Sequence, residues 1–289
     1  MNKRLLGHIF SFITITIWSV AFVSNKALLN YITPIENMLL RFIIALSLLI
    51  LIYPKELIPK SFKDELSFAF IGFLGIFLYF ILENFALKYT QATNVGLYMG
   101  AIPILTAITA HIFSKDEKLS KYLIIGFFIA MVGIAAILLE GAKFEIRLKG
   151  DLLALLAALT FSLYSISLKL APKDYHYIAV TRKSFFYGIL FMLIYYLFSN
   201  QPPFHWKELK NSVVWLNILY LGILSSGLAF ILWQQGIEKI GSINASNYIY
   251  LVPLITAITG VVFLNEIITP TMIIGGVLII TGLYISQKS

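Results

Sequence analysis

The chain has no cysteine among its 289 residues. That excludes a disulfide framework, a thiolate metal site and a cysteine nucleophile. Charge is scarce too: 12% of the residues are charged, against roughly 25% in a soluble domain. What charge there is falls in short stretches between apolar runs, none of them long enough to fold as a separate domain. There is no glycine-rich phosphate loop ending in Lys-Ser/Thr, so no ATP motor is encoded. Neither HExxH nor any other clustered metal-ligand spacing occurs, and no Ser/His/Asp hydrolase motif or TVGYG-like filter is present. The chain therefore reads as neither enzyme nor ion channel, and no cofactor or metal is expected.

What fills the chain is apolar: 59% of it is hydrophobic and 15% aromatic. The apolar residues come in runs near twenty long, the length needed to cross a bilayer about 30 Å thick. Alternation in segments of about ten, the mark of a membrane β-barrel, is absent. The fold class is thus all-α and polytopic. A net charge of +8 would point to nucleic acid in a soluble protein. Here Lys and Arg lie in connecting segments, where they act as topology signals. The expected partners are the lipid bilayer and a small-molecule substrate, not nucleic acid.

Ten spans are expected, at roughly 6–25, 35–53, 66–86, 93–113, 120–139, 150–170, 178–198, 213–235, 244–264 and 270–286. The N-terminal run contains Trp18 and is long enough to span, so it reads as the first membrane helix rather than a signal peptide. In the first half, Lys3, Arg4, Lys55, Lys60, Lys63, Lys115, Lys118 and Lys121 fall on one side, with only Lys26 and Lys88 on the other. The mid-chain loop with Lys143, Arg147 and Lys149 argues the opposite way. The balance puts both termini in the cytoplasm of a cell whose inner membrane holds the chain.

The chain repeats itself. Residues 92–109 (ATNVGLYMGAIPILTAIT) and 242–259 (SINASNYIYLVPLITAIT) align without a gap. They share Asn94/Asn244, Tyr98/Tyr248, Pro103/Pro253 and Thr106–Thr109/Thr256–Thr259. Trp18-Ser19 through Lys26 lines up with Phe161-Ser162 through Lys169, and Arg41 with Arg182. Glu117 precedes Gly126 and Gly133 as Glu266 precedes Gly275 and Gly282. The unit is five spans used twice, residues 1–140 and 141–289. Because five is odd, the second copy enters the membrane from the opposite side, giving two inverted five-helix repeats. A proline inside a membrane helix opens a kink, and paired interruptions at matching positions point to a transporter's binding site.

The duplicated W/F-S start, the Thr/Ser-x-Asn/Ala entry, the mid-helix proline and the following Glu and glycines resemble the drug/metabolite transporter superfamily, and within it the ten-helix EamA-type exporters. The resemblance covers nearly the whole chain. It implies a central cavity, with spans one to four and six to nine around it and spans five and ten peripheral. It also implies export of small organic solutes, often amino acids or their relatives. Carriers of nucleotide sugars belong to the same superfamily, and a non-transporting receptor or scaffold is the other alternative.

Candidate substrate-binding residues follow from chemistry at membrane depth. Glu83 is an ionisable group near the end of span three, able to take up and release a proton. It otherwise lies at the headgroups near Lys88. By the repeat offset it matches Trp233, and Trp233-Gln234 bring an indole and an amide. Tyr98 and Tyr248 lie close to the kinks at Pro103 and Pro253. Trp18, Tyr79 and Tyr164 belong to spans expected around the cavity. Arg41 is expected to snorkel to the interface rather than meet a substrate carboxylate. Glu117 and Glu266 read as local structural groups, capping span five or ten. The glycines of spans five and ten permit close packing, which makes these spans a candidate homodimer face.

Overall fold

The computed structural model describes residues 2–114, 117–140, 145–199, 202–264 and 268–288. Glu266, Lys115 and Lys143 lie outside the described residues, as does the side chain of Lys26. The described residues form helices and no strand. Eight helical stretches are long and apolar enough to cross a membrane. In chain order the helices are α1 (Lys3–Leu28), α2 (Pro34–Ile52), α3 (Phe62–Gly72), α4 (Tyr79–Tyr89), α5 (Ala92–Met99), α6 (Ile102–Phe113) and α7 (Lys121–Leu138). The second half adds α8 (Leu148–Lys169), α9 (Tyr177–Phe198), α10 (Ser212–Leu219), α11 (Ala229–Ser246), α12 (Leu251–Leu264) and α13 (Pro270–Ser286).

Polar side chains start these helices because their first N–H groups have no intrahelical partner. Thr33 and Glu36 form a reciprocal capping box on α2, and Ser61, Ser120 and Thr269 cap α3, α7 and α13. Both repeat prolines sit just after a break, in the first turn of a new helix, where a missing N–H costs nothing. Pro103 follows the turn that separates α5 from α6. Pro253 follows a 3₁₀ stretch, Asn247–Tyr250.

Two π-helical stretches interrupt longer helices. Phe73–Leu78 joins α3 to α4, and Tyr220–Leu228 joins α10 to α11. Ser212–Val262 is one apolar stretch of 51 residues, which a straight helix would extend to roughly 75 Å. It breaks at Gly241, whose φ of 83° lies in the left-handed region. The expected connection over residues 236–243 is therefore a single-residue break. Glu117 caps the helix that restarts there, accepting from the N–H of Ser242 at 3.0 Å and of Ile243 at 2.8 Å, while Lys169 pairs with it at 2.7 Å. So Glu117 serves neither span five nor span ten.

Packing crosses between the halves. α1 lies against α11 and α12, and α8 lies against α4, α5 and α6. α2 packs on the π stretch Tyr220–Leu228, α9 on α3 and the π stretch Phe73–Leu78, and α2 and α9 meet. α7 and α13 pair closely with each other. A Cβ on Gly126 would lie 2.5 Å from the Gly282 carbonyl, and one on Gly133 would lie 2.6 Å from that of Gly275. These glycines face each other within the chain, where they let the two helices approach closely.

Polar networks fasten the loops at both ends. On the face with both termini, Arg182 donates to the carbonyls of Tyr53, Lys55 and Glu56. Lys183 pairs with Glu65 at 2.9 Å, and the Tyr175 hydroxyl donates to Asp64 at 3.0 Å. Burial, reinforced by Asp64 and Glu65, pushes the Tyr175 phenol up from its ordinary value. On the opposite face, Asp151 accepts from Thr90 at 2.7 Å and from Asn94 at 3.0 Å. His205 meets the buried Glu36 at 3.0 Å.

Candidate functional site

Where α1, α2, α4, α8, α9 and α11 converge, the centre of the molecule is made of aromatic rings. Trp18 and Trp233 have ring centroids 5.3 Å apart, and Phe161 lies 5.8 Å from the first and 5.6 Å from the second. Tyr79 stands 5.2 Å from Phe161. Phe230 links Trp18, Tyr164, Phe42 and Phe185. Most contacts are tilted or edge-to-face, the arrangement that ring quadrupoles favour. Tyr164 packs over Gly75, where a Cβ would lie 2.1 Å from the ring. The rings occupy much of the space that the family resemblance assigns to a cavity: Trp233 is 0% and Tyr164 2% exposed, while Trp18 and Tyr79 are only partly buried. In this conformation its innermost rings are sealed from solvent.

Polar groups rim the cluster. The π stretch Tyr220–Leu228 disrupts the regular i to i−4 ladder, and Trp18 Nε1 donates to the Ser225 carbonyl at 3.0 Å. Arg41 Nε donates to Ser226 Oγ at 2.8 Å and Nη2 to Ser225 Oγ at 3.3 Å. Its guanidinium also lies 5.0 Å from the Phe42 ring centroid and 5.2 Å from that of Phe80. Tyr79 donates its hydroxyl to Glu83 Oε1 at 3.0 Å. Arg41 and Glu83 act on each other electrostatically without a direct ion pair. Trp233 Nε1 is buried and has no acceptor among the described residues. An unmade hydrogen bond there costs about 1–3 kcal/mol.

Of the residues singled out in the sequence, Trp18, Tyr79, Glu83, Tyr164 and Trp233 come together. Gln234 stands beside them but is engaged, accepting from Thr181 at 2.7 Å. Tyr98 and Tyr248 do not join. Tyr248 meets His8 at 3.0 Å towards the termini, and Tyr98 is near Asp151 on the opposite face. Arg41 is 4% exposed, so it does not snorkel: it belongs to the site. Its signal in the sequence is its place inside an apolar run, which reads the same for a snorkelling and a buried arginine. Phe161 is signalled by the repeat, as the counterpart of Trp18, but Phe42, Phe80, Phe185 and Phe230 do not stand out in the sequence, because phenylalanine at membrane depth looks alike whether it faces core or lipid.

Chemically, this is an apolar ring cluster with one cation and one carboxylate at its rim and one unused N–H in its interior. A profile of the EamA-like transporter family matches residues 5–139 and again 148–287. The chain belongs to the EamA-like transporter family. Among its relatives is the uncharacterized transporter YyaM of Bacillus subtilis (strain 168), 31% identical over 89% of this chain and 85% of the relative. Uncharacterized transporters of Clostridium kluyveri and Archaeoglobus fulgidus are 26% and 27% identical, over 98% and 99% of this chain and 93% and 98% of theirs. A crystal structure 21% identical to the chain superimposes with a TM-score of 0.77, covering 98% of this chain and 97% of the other, which speaks for the fold. This EamA-family member is a multi-pass membrane transporter, consistent with the drug/metabolite transporter superfamily.

Proposed function

We propose that this transporter exports small metabolites, amino acids foremost, by alternating access between two inverted five-helix repeats, residues 1–140 and 141–289. The observation that carries the substrate class is the convergence of Arg41, Glu83 and the unpartnered Trp233 Nε1 on one cluster of rings. A carboxylate is served by the guanidinium and the indole N–H, an ammonium by Glu83, and an apolar side chain by the ring faces. A nucleotide sugar brings two phosphate charges to a cluster with one buried arginine, so charge balance favours the amino acid.

Ten spans follow if Gly241 divides Ser212–Val262 into two and Pro270–Ser286 supplies the last. The inverted repeat is supported by the crossed packing. α1 relates to α11 and α12 as α8 does to α4, α5 and α6, while α2 with α9 and α7 with α13 pair on the axis. The matching π stretches and the two family matches agree with it. Both termini are cytoplasmic on this reading, and Glu83 is the proton-coupling group. Counterflow in proteoliposomes with labelled amino acids, sugar phosphates and nucleotide sugars tests the substrate class. Saturable exchange of apolar amino acids is expected; exchange of nucleotide sugars alone contradicts the proposal.

A further inference from the structure

A cleft of about 440 Å³ opens between the start of α2 and the end of α4, with the end of α9 at its side. It lies on the face opposite the termini. Its size falls in the roughly 300–1,000 Å³ range of small-molecule sites. Met38, Ile81 and Phe85 give it apolar walls, Asn84 and Tyr195 give it polar atoms, and Lys88 is its one charged lining residue. Going inward along α2, Met38 stands three residues before Arg41, about one helical turn. Going inward along α4, Asn84 stands four residues from Phe80. Asn84 Nδ2 reaches Met38 Sδ at 3.2 Å and the Phe80 carbonyl at 2.7 Å, closing the floor. Beneath it, Phe42 and Phe80 are 5.3 Å apart with the Arg41 guanidinium against both. The cleft thus ends one layer above the ring cluster.

We infer that this cleft is a transit site for an amino acid with an apolar side chain, held at Lys88 by its carboxylate between the central site and the water. The inference rests on the function proposed above. Charge complementarity and continuity with the Arg41–Glu83 layer select the occupant. The floor, Met38 with Asn84 and then Phe42 with Phe80, is the barrier it crosses.

The absence of native cysteine makes the test clean. Single cysteines at Ile81 and at Leu87, the latter 43% exposed, are introduced into the full chain in proteoliposomes. They are treated with sulfonatoethyl and trimethylammonioethyl methanethiosulfonate. Relative to their rates with a free thiol in solution, the anionic reagent is expected to be favoured over the cationic one by at least about threefold, because a fixed cation concentrates anions. That preference disappears in I81C/K88Q. Labelled I81C loses most of its counterflow, and the transported amino acid slows labelling. A ratio of the two rates at both positions no different from that of a free thiol, or full transport after labelling, overturns the transit site while leaving the proposed function standing. A cysteine-free parent that exchanges no amino acid defeats the proposed function, and the occupant with it.

Discussion

Trp233 carries a fully buried indole N–H with no acceptor among the described residues. W233F removes the donor and keeps most of the packing. The expected result is a thermal midpoint close to that of the parent, since the N–H contributes no bond to this conformation. The substrate KM rises about tenfold, the equivalent of one hydrogen bond to a charged group. A variant with unchanged KM places the substrate elsewhere. R41K is expected to lose transport about as fully as R41Q, because an ammonium cannot reproduce a fork that reaches two serines while lying against two rings. E83Q is expected to raise the substrate KM, because the ammonium loses its charged partner, and to abolish the dependence of exchange on a pH gradient; pH-jump assays with the parent alongside check this, and a retained gradient response removes Glu83 from coupling. At this scale the sequence is partly legible. Glu83 announces itself as a charge in an apolar run, and Trp233 is found through the repeat offset. Arg41 is misleading because a one-dimensional pattern gives depth in the membrane but not the direction in which a side chain leaves its helix.

At the scale of elements, the apolar runs mark the helices well, and their interruptions less well. The two prolines betray the breaks before Pro103 and Pro253, since a ring in place of an N–H has few places to sit. The π stretches Phe73–Leu78 and Tyr220–Leu228 carry no such punctuation and are invisible in the sequence. Gly241 is similar: a glycine in helical surroundings reads as tolerated, whereas here its φ of 83° makes it the turning point of the second half. G241A is expected to cost roughly 1–3 kcal/mol from the backbone alone, because a φ of 83° with a ψ of 162° is a conformation that essentially only glycine adopts. The new Cβ would also press on the Glu117 carboxyl carbon at 3.2 Å. A thermal midpoint lowered by a few degrees in detergent is the expected reading. The glycine seam of α7 and α13 is legible as a close-packing surface but not as to its partner, because small residues look the same whether a second copy or the same chain approaches. G126L forces those helices apart and is expected to lower the midpoint well beyond G241A.

For the whole molecule, the multi-pass helical architecture and the family are both readable in the amino-acid sequence alone, because hydropathy at span length and a duplicated motif are global signals that single errors do not erase. The sealing of the innermost rings is not readable there. Which rings pack and which part depends on contacts between residues more than a hundred positions apart, such as Trp18 with Trp233. On the proposed topology a reporter fused to either end is expected to stay in the cytoplasm: an even number of spans puts both ends on one side, and the Lys and Arg bias of the first half selects which side. The central claim is that one ring-walled slot, served by Arg41, Glu83 and Trp233, moves amino acids across the membrane. Counterflow of a labelled apolar amino acid in proteoliposomes tests it most directly, run on the parent, W233F and R41Q together. The account predicts saturable exchange by the parent, a raised KM in W233F and loss in R41Q; equal exchange by all three, or none by a folded parent, contradicts it.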